Sequence, residues 1–139
     1  MAHPIEVEVV AVDHKVYAGQ AMSVTAPGAD GYFGILSGHA PLVAALGVGM
    51  ITIMPSGETS PIYIAVAGGF AEVAQDHVTI LAETAEMANE IDVARAREAA
   101  DRARERLAHA EEGVDADRAK AALLRAINRL HTAAERHIG

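Results

Sequence analysis

The chain has 139 residues, 11 basic against 19 acidic, for a formal net charge of -8. Hydrophobic residues make up 51%, enough for one domain core, but aromatics are only 4% and cysteine is absent, which excludes disulfides, zinc–thiolate sites and a thiol nucleophile. The negative balance argues against general nucleic-acid binding, because a polyanion is repelled.

No window approaches the roughly 18 apolar residues of a membrane span. The opening Met1-Ala2-His3-Pro4-Ile5-Glu6 has neither the basic stretch nor the apolar run of a signal peptide. A soluble, cytosolic protein is expected. Charge is distributed unevenly: positions 1–90 carry one basic residue, Lys15, against ten acidic ones, whereas positions 91–139 carry ten basic and nine acidic residues. Such asymmetry marks two units with different partners.

In chain order, the first unit reads as β. Ile5-Glu6-Val7-Glu8-Val9 alternates with period two, and further strands are expected over Tyr17–Thr25, Met50–Met54, Ile62–Val66, Phe70–Val73 and Val78–Leu81. Pro27-Gly28, Asp30-Gly31, Ser56-Gly57, Gly68-Gly69 and Gln75-Asp76 read as the turns between them. Short, regularly spaced strands predict a β-sandwich or flattened barrel. After residue 90 the period changes. Asp92 is a candidate N-cap, and Ala96, Ala99, Ala100, Ala103, Leu107 and Ala110 recur at helical spacing. Gly113 breaks the run, and Asp115 can cap a second helix. Its stripe is Ala119, Ala122, Leu123, Ala126, Ile127, Leu130 and Ala134. The fold class is therefore α+β, with a β-sandwich over 1–86 and an antiparallel helical hairpin over 87–139.

The hairpin seam is mostly alanine. At about 0.8 kcal/mol per buried methylene, it holds far less tightly than a leucine seam, while alanine's helix propensity is the best available. Two sturdy, weakly attached helices could rearrange without unfolding; the other reading is simple close packing through small residues.

No catalytic constellation is visible. Gly47-Val48-Gly49 lacks the third glycine and following helix of a dinucleotide fingerprint. The seven histidines show no metal-ligand spacing, and Ser23, Ser37 and His39 belong to no triad motif. Residues 30–42 pack three glycines, a proline and a histidine around apolar residues. They read either as a defined surface loop presenting Tyr32 and His39 or as a turn-rich connection between strands.

Gly31-Tyr32-Phe33-Gly34-Ile35-Leu36-Ser37-Gly38-His39-Ala40-Pro41-Leu42 resembles a signature of the epsilon-subunit family of bacterial F-type ATP synthases. Val66-Ala67-Gly68-Gly69-Phe70-Ala71-Glu72-Val73 is similar to the family's second signature, and Ile91-Asp92-Val93-Ala94-Arg95-Ala96 to its domain-junction motif. Ser37 departs from the proline many relatives carry. The resemblance covers the whole chain and implies a non-catalytic subunit of the central rotor stalk, peripheral on the cytoplasmic face of the bacterial cell membrane. It would couple proton translocation to ATP synthesis and restrain hydrolysis through a mobile hairpin.

The partners implied are the gamma subunit, the c-ring and the alpha/beta catalytic hexamer. By position, Tyr32 and His39 face the ring, and Arg118, Lys120, Arg125, Arg129 and Arg136 face an acidic beta subunit; the other reading of these cations is solvated helix charge. No cofactor is required, but ATP is implied as a regulatory ligand of Glu86, Asp92, Arg95, Arg102, Arg125 and Arg129. Asp92, Arg95 and Arg102 share one helix face, as do Arg125 and Arg129, and guanidiniums suit a triphosphate. Asp92 reads equally as a plain N-cap. The alternative function is a free-standing ATP-responsive module outside any complex.

Overall fold

The computed structural model describes residues 3–110 and 114–135. Seven strands come first: β1 (Ile5–Ala11), β2 (Lys15–Gly28), β3 (Gly31–Ile35), β4 (Leu42–Ala45), β5 (Val48–Pro55), β6 (Ile62–Ala74) and β7 (His77–Met87). A 3-10 turn at Ala88–Glu90 leads into the helices α1 (Val93–His109) and α2 (Val114–Glu135). The expected α+β order, β-sandwich then two helices, is the one observed.

Strand pairing runs β1-β7-β6-β5-β2, and β2 pairs β1 again, so five strands close on themselves. Closure removes the open edges that would otherwise invite another chain. The β1–β7 contact is parallel and the other pairings are antiparallel. Inside sit Val9, Val24, Ile35, Ile51, Ile53, Ile64 and Ile80, each at most 1% exposed. Branched side chains suit the pleated surface, and each contributes roughly 1.5–3 kcal/mol when fully buried.

One feature of the barrel reverses a sequence expectation. Gly68-Gly69 is not a turn; β6 runs through it from Ile62 to Ala74. Its first part pairs with β5 and its last part with β4, in one continuous register in which Ile53 faces Ile62 and Leu42 faces Val73. The ladder is bridged by Leu46 N–H to Gly69 C=O (2.8 Å) and Gly68 N–H to Gly47 C=O (3.1 Å).

The inward face nevertheless switches. Ile64 and Val66 point in before the glycines, and Ala71 and Val73 point in after them. On β7, Ala82 and Ala85 both pack toward the core with Glu83 and Thr84 exposed between them. This aligned bulge is a corner, and it requires glycine: Gly69 has φ 114°, and a Cβ there would lie 2.0 Å from the Leu81 carbonyl oxygen.

Residues 30–42 divide differently from either sequence reading. Gly31–Ile35 is strand β3 on the edge of β2, 36–41 is a connection, and Leu42 opens β4. Gly38 N–H donates to Asp76 Oδ1 at 2.7 Å, which ties the connection to the β6–β7 turn.

The Asp92 carboxylate caps α1 by accepting from Arg95 N–H at 3.1 Å, a bond worth about 1 kcal/mol. Asp115 lies within the first turn of α2 rather than ahead of it, where it still complements the helix dipole. Ala96, Ala100, Ala103, Ala119 and Ala126 are buried in the hairpin. Near its end α2 buries Thr132 and Ala133 while Ala134 is exposed. Thr132 tolerates this because its hydroxyl donates to the Asn128 carbonyl at 2.8 Å. Among the described residues, no helix is long and apolar enough to cross a membrane.

The corner makes a stability prediction. Gly69→Ala should cost about 3 kcal/mol, since strain at such a φ is compounded by backbone overlap. Gly57→Ala, at φ 78° with nothing near its Cβ, should cost only about 1 kcal/mol. Urea denaturation of the two variants gives the comparison; equal costs would remove the overlap as the cause.

Candidate functional site

Helix α2 lies on the outer face of β5 and β6, before the corner. Among the described residues, the buried apolar cluster joining it to the sheet is small: Ala133 packs with Ala65 and Ile91, with Val93 alongside. Polar contacts supply the rest. Asn128 Nδ2 donates to the Gly49 carbonyl at 2.8 Å and approaches the Val66 carbonyl at 3.4 Å. Arg129 makes a forked pair with Glu86, Nε to Oε1 at 2.8 Å and Nη2 to Oε2 at 3.3 Å.

These anchors follow from register. Met50, Ala65 and Glu86 stand side by side across β5, β6 and β7, as do Gly49, Val66 and Ala85. Two successive residues of one helix thus reach three strands. Both members of the Glu86–Arg129 pair are about one-third exposed, 32% and 31%, so water screens part of the attraction.

Beside this attachment is a cavity of about 720 Å³ between the sheet, the two helices and the β1–β2 turn. That volume is within the range of small-molecule sites. Lys15, Arg125 and Arg129 bring positive charge to it, and Glu86 and Glu90 bring negative charge. His14 also lines it, and its hydrogen bond to Asp13, at 2.7 Å, holds the Asp13 carboxyl below the usual range.

Of the six residues the resemblance assigns to a nucleotide, the fold brings Glu86, Arg125 and Arg129 to this cavity. Asp92 is occupied as the α1 cap; Arg95 and Arg102 are exposed on α1 and do not line the cavity themselves, although Ala99, on the helix face they share, does. Arg118 and Lys120 are exposed on the first turns of α2, and Arg136 lies outside the described residues. Lys15, Glu90 and Asn128 were not singled out by sequence. A lone asparagine on an amphipathic helix carries no signal, because only the register of a distant sheet gives it carbonyls to reach.

A second surface lies beyond the corner. Phe70 stands between Ala45 and Leu81 across β4, β6 and β7. Val43, Phe70 and Leu81 are 71%, 58% and 54% exposed, an apolar band with Glu72 and Glu83 at its margin. Of the two loop residues, Tyr32 sits on β3, 61% exposed, with its hydroxyl against β5. His39 is in the 36–41 connection, its Nδ1 2.6 Å from the Ala40 carbonyl.

Residues 4–88 match the family described as the ATP synthase Delta/Epsilon chain beta-sandwich domain, and residues 89–134 the Delta/Epsilon chain long alpha-helix domain. The ATP synthase epsilon chain of Nitratidesulfovibrio vulgaris strain DP4 is 45% identical over 130 residues, covering 94% of this chain and 96% of that one. The epsilon chain of Solibacter usitatus is 43% identical over 133 residues, covering 96% and 98%. Among solved structures, a chain of the Euglena gracilis mitochondrial ATP synthase OSCP/F1/c-ring assembly superposes with a TM-score of 0.77 at 22% identity. That superposition covers 98% of this chain and 82% of that one, a likeness of fold.

The geometry predicts how the hairpin is held. Glu86→Gln should lower stability of the docked hairpin by about 1–2 kcal/mol at low ionic strength, and by less as salt screens the pair. Hydrogen exchange of α2 amides across a salt series measures it. A loss independent of salt would mean that packing, not charge, holds Arg129.

Proposed function

The chain belongs to the Delta/Epsilon chain family of ATP synthases, and on that premise we propose how it works as the non-catalytic epsilon subunit of the rotor stalk. The apolar band of Val43, Phe70 and Leu81 docks on the gamma subunit. Tyr32 and His39 face the c-ring, and the hairpin regulates hydrolysis. One observation carries this reading: the corner gives the barrel two outer faces, one covered by the chain's own helices and one left apolar and bare. A bare band of this kind marks an interaction site. Its acidic margin favours a partner with basic residues around an apolar centre.

The hairpin's part follows from how little apolar surface attaches it. A seam of alanines and a few polar anchors leave docked and extended forms within a few kcal/mol, as a bistable element needs. Extended, the hairpin would present Arg118, Lys120, Arg125 and Arg129, with Arg136 beyond them, to an acidic face of the catalytic hexamer. Docked, it would offer the cavity at Arg125 and Arg129 to the triphosphate of ATP, a regulatory ligand rather than a required cofactor. Proton coupling and a place on the cytoplasmic face of a bacterial cell membrane go with this role.

Co-purification tests the docking face. Phe70→Glu with Leu81→Glu should reduce recovery with gamma at least tenfold, since each charge would be buried unpaired; undiminished recovery would place gamma elsewhere on the chain, whereas failure of the unsubstituted chain to co-purify with gamma would favour a free-standing module. Calorimetry tests the nucleotide. Binding of ATP to the isolated chain, lost in the Arg125→Ala, Arg129→Ala double variant, is expected; no heat at millimolar ATP would leave the hairpin to act through protein contacts alone.

A further inference from the structure

One amide group of the barrel is held from both sides. The peptide joining Gly49 to Met50 donates its N–H to the Tyr32 hydroxyl oxygen at 3.0 Å, and its carbonyl accepts from Asn128 Nδ2 at 2.8 Å. Tyr32 belongs to β3 and Asn128 to α2, elements that otherwise meet only through the barrel wall. We propose that Tyr32, the Gly49–Met50 peptide and Asn128 form a relay, through which a partner bearing on the Tyr32 face sets how firmly the helical hairpin is held.

The local backbone explains why the peptide is available. β2 pairs with β5 at Thr52–Pro55, and Gly47 N–H bonds the Pro27 carbonyl further along. Between these points the ladder is interrupted, and the Pro27 carbonyl, an acceptor that β2 could have offered to Met50 N–H, already accepts from Gly47. The Tyr32 hydroxyl fills the gap as acceptor for Met50. Glycine at 49 makes room for it, because a Cβ there would lie 2.6 Å from the Tyr32 oxygen and 2.5 Å from Pro27 Cβ.

Donation and acceptance by one amide reinforce each other, since each polarises the group for the other. Losing the Tyr32 bond should therefore weaken the Asn128 bond. Asn128 is central to the attachment, with Val66 as its second acceptor and the Arg129–Glu86 fork beside it. The element with two states is α2, docked or released. Tyr32, an exposed residue of β3, is the outward end. As acceptor for Met50 it keeps its own proton to donate to a partner. A partner that draws the hydroxyl outward withdraws it from Met50 and loosens α2; one that presses the ring onto β5 does the reverse.

The coupling is a property of the free chain; only the identity of the partner rests on the reading above. Hydrogen exchange on the full chain tests it in wild type, Tyr32→Phe, Asn128→Ala and the double variant. Tyr32→Phe keeps the ring and deletes the acceptor. Each single variant should speed exchange of the docked amides around 126–133 by about threefold to tenfold. The double variant should be no faster than Asn128→Ala alone. The core amides of Ile51 and Ile80 report global unfolding in the same samples and normalise the comparison. Unchanged α2 exchange in Tyr32→Phe, or effects that multiply in the double variant, would overturn the relay. Either result leaves gamma binding untouched, just as loss of the gamma interaction would leave the exchange pattern standing.

Discussion

A side chain cannot be built at Gly69: its Cβ would lie 2.0 Å from a backbone oxygen of the neighbouring strand, at a φ of 114°. The rest of the molecule is arranged around that close approach. At Gly68-Gly69 the long strand β6 turns its other face inward without leaving its register. The switch is echoed beside it at Leu46-Gly47 on one side and Glu83-Thr84 on the other. A bulge aligned across neighbouring strands bends a sheet sharply. Here it gives one barrel two outer faces, so that Ala65 and Glu86 receive a helix while Phe70 and Leu81 do not.

Energetically the covered face is undemanding. Among the described residues its buried apolar cluster is Ala65, Ile91 and Ala133, and the two alanines bury little area. Set against a core of branched residues each worth roughly 1.5–3 kcal/mol, α2 is held by a small share of the total. Hydrogen bonds from Asn128 and the Arg129–Glu86 fork therefore matter more here than comparable bonds would inside the barrel. Directional contacts also break together, whereas a broad apolar seam yields gradually. The two-state hairpin proposed above is better served by the first kind.

Much of this fold was legible in the sequence. Period-two alternation found β1, the further strands expected over Met50–Met54 and Val78–Leu81 fall within β5 and β7, and the change to helical spacing after Asp92 found the hairpin and its cap. The errors share a cause. Gly68-Gly69 reads as a turn because glycine pairs usually terminate strands, and nothing local distinguishes a chain reversal from a bulge inside a longer ladder. β3 was hidden because its glycines and short length look like loop, while its pairing with β2 is visible only in three dimensions. Thr132 was passed over in favour of Ala134 for a similar reason, since its hydroxyl is satisfied by its own helix. Of the site, charged positions were legible through the family resemblance, but Asn128 was not, as its partners are carbonyls some 60 to 80 residues earlier.

Arg129 has two proposed roles and an observed partner. It stands among the residues assigned to a nucleotide and among those assigned to the catalytic hexamer, and in the docked form its guanidinium is already forked onto Glu86. A fork presents one planar edge, and that edge cannot serve two carboxylates or a carboxylate and a phosphate equally well. A phosphate entering the cavity must share Arg129 with Glu86 or rely on Arg125 and Lys15. A partner that takes Arg129 outward must first break the Glu86 pair. Glu86 is thus the residue against which both assigned roles of the arginine are weighed. The affinity of either role is reduced by whatever the docked pair is worth, and for a pair one-third exposed that penalty is small enough to be overcome.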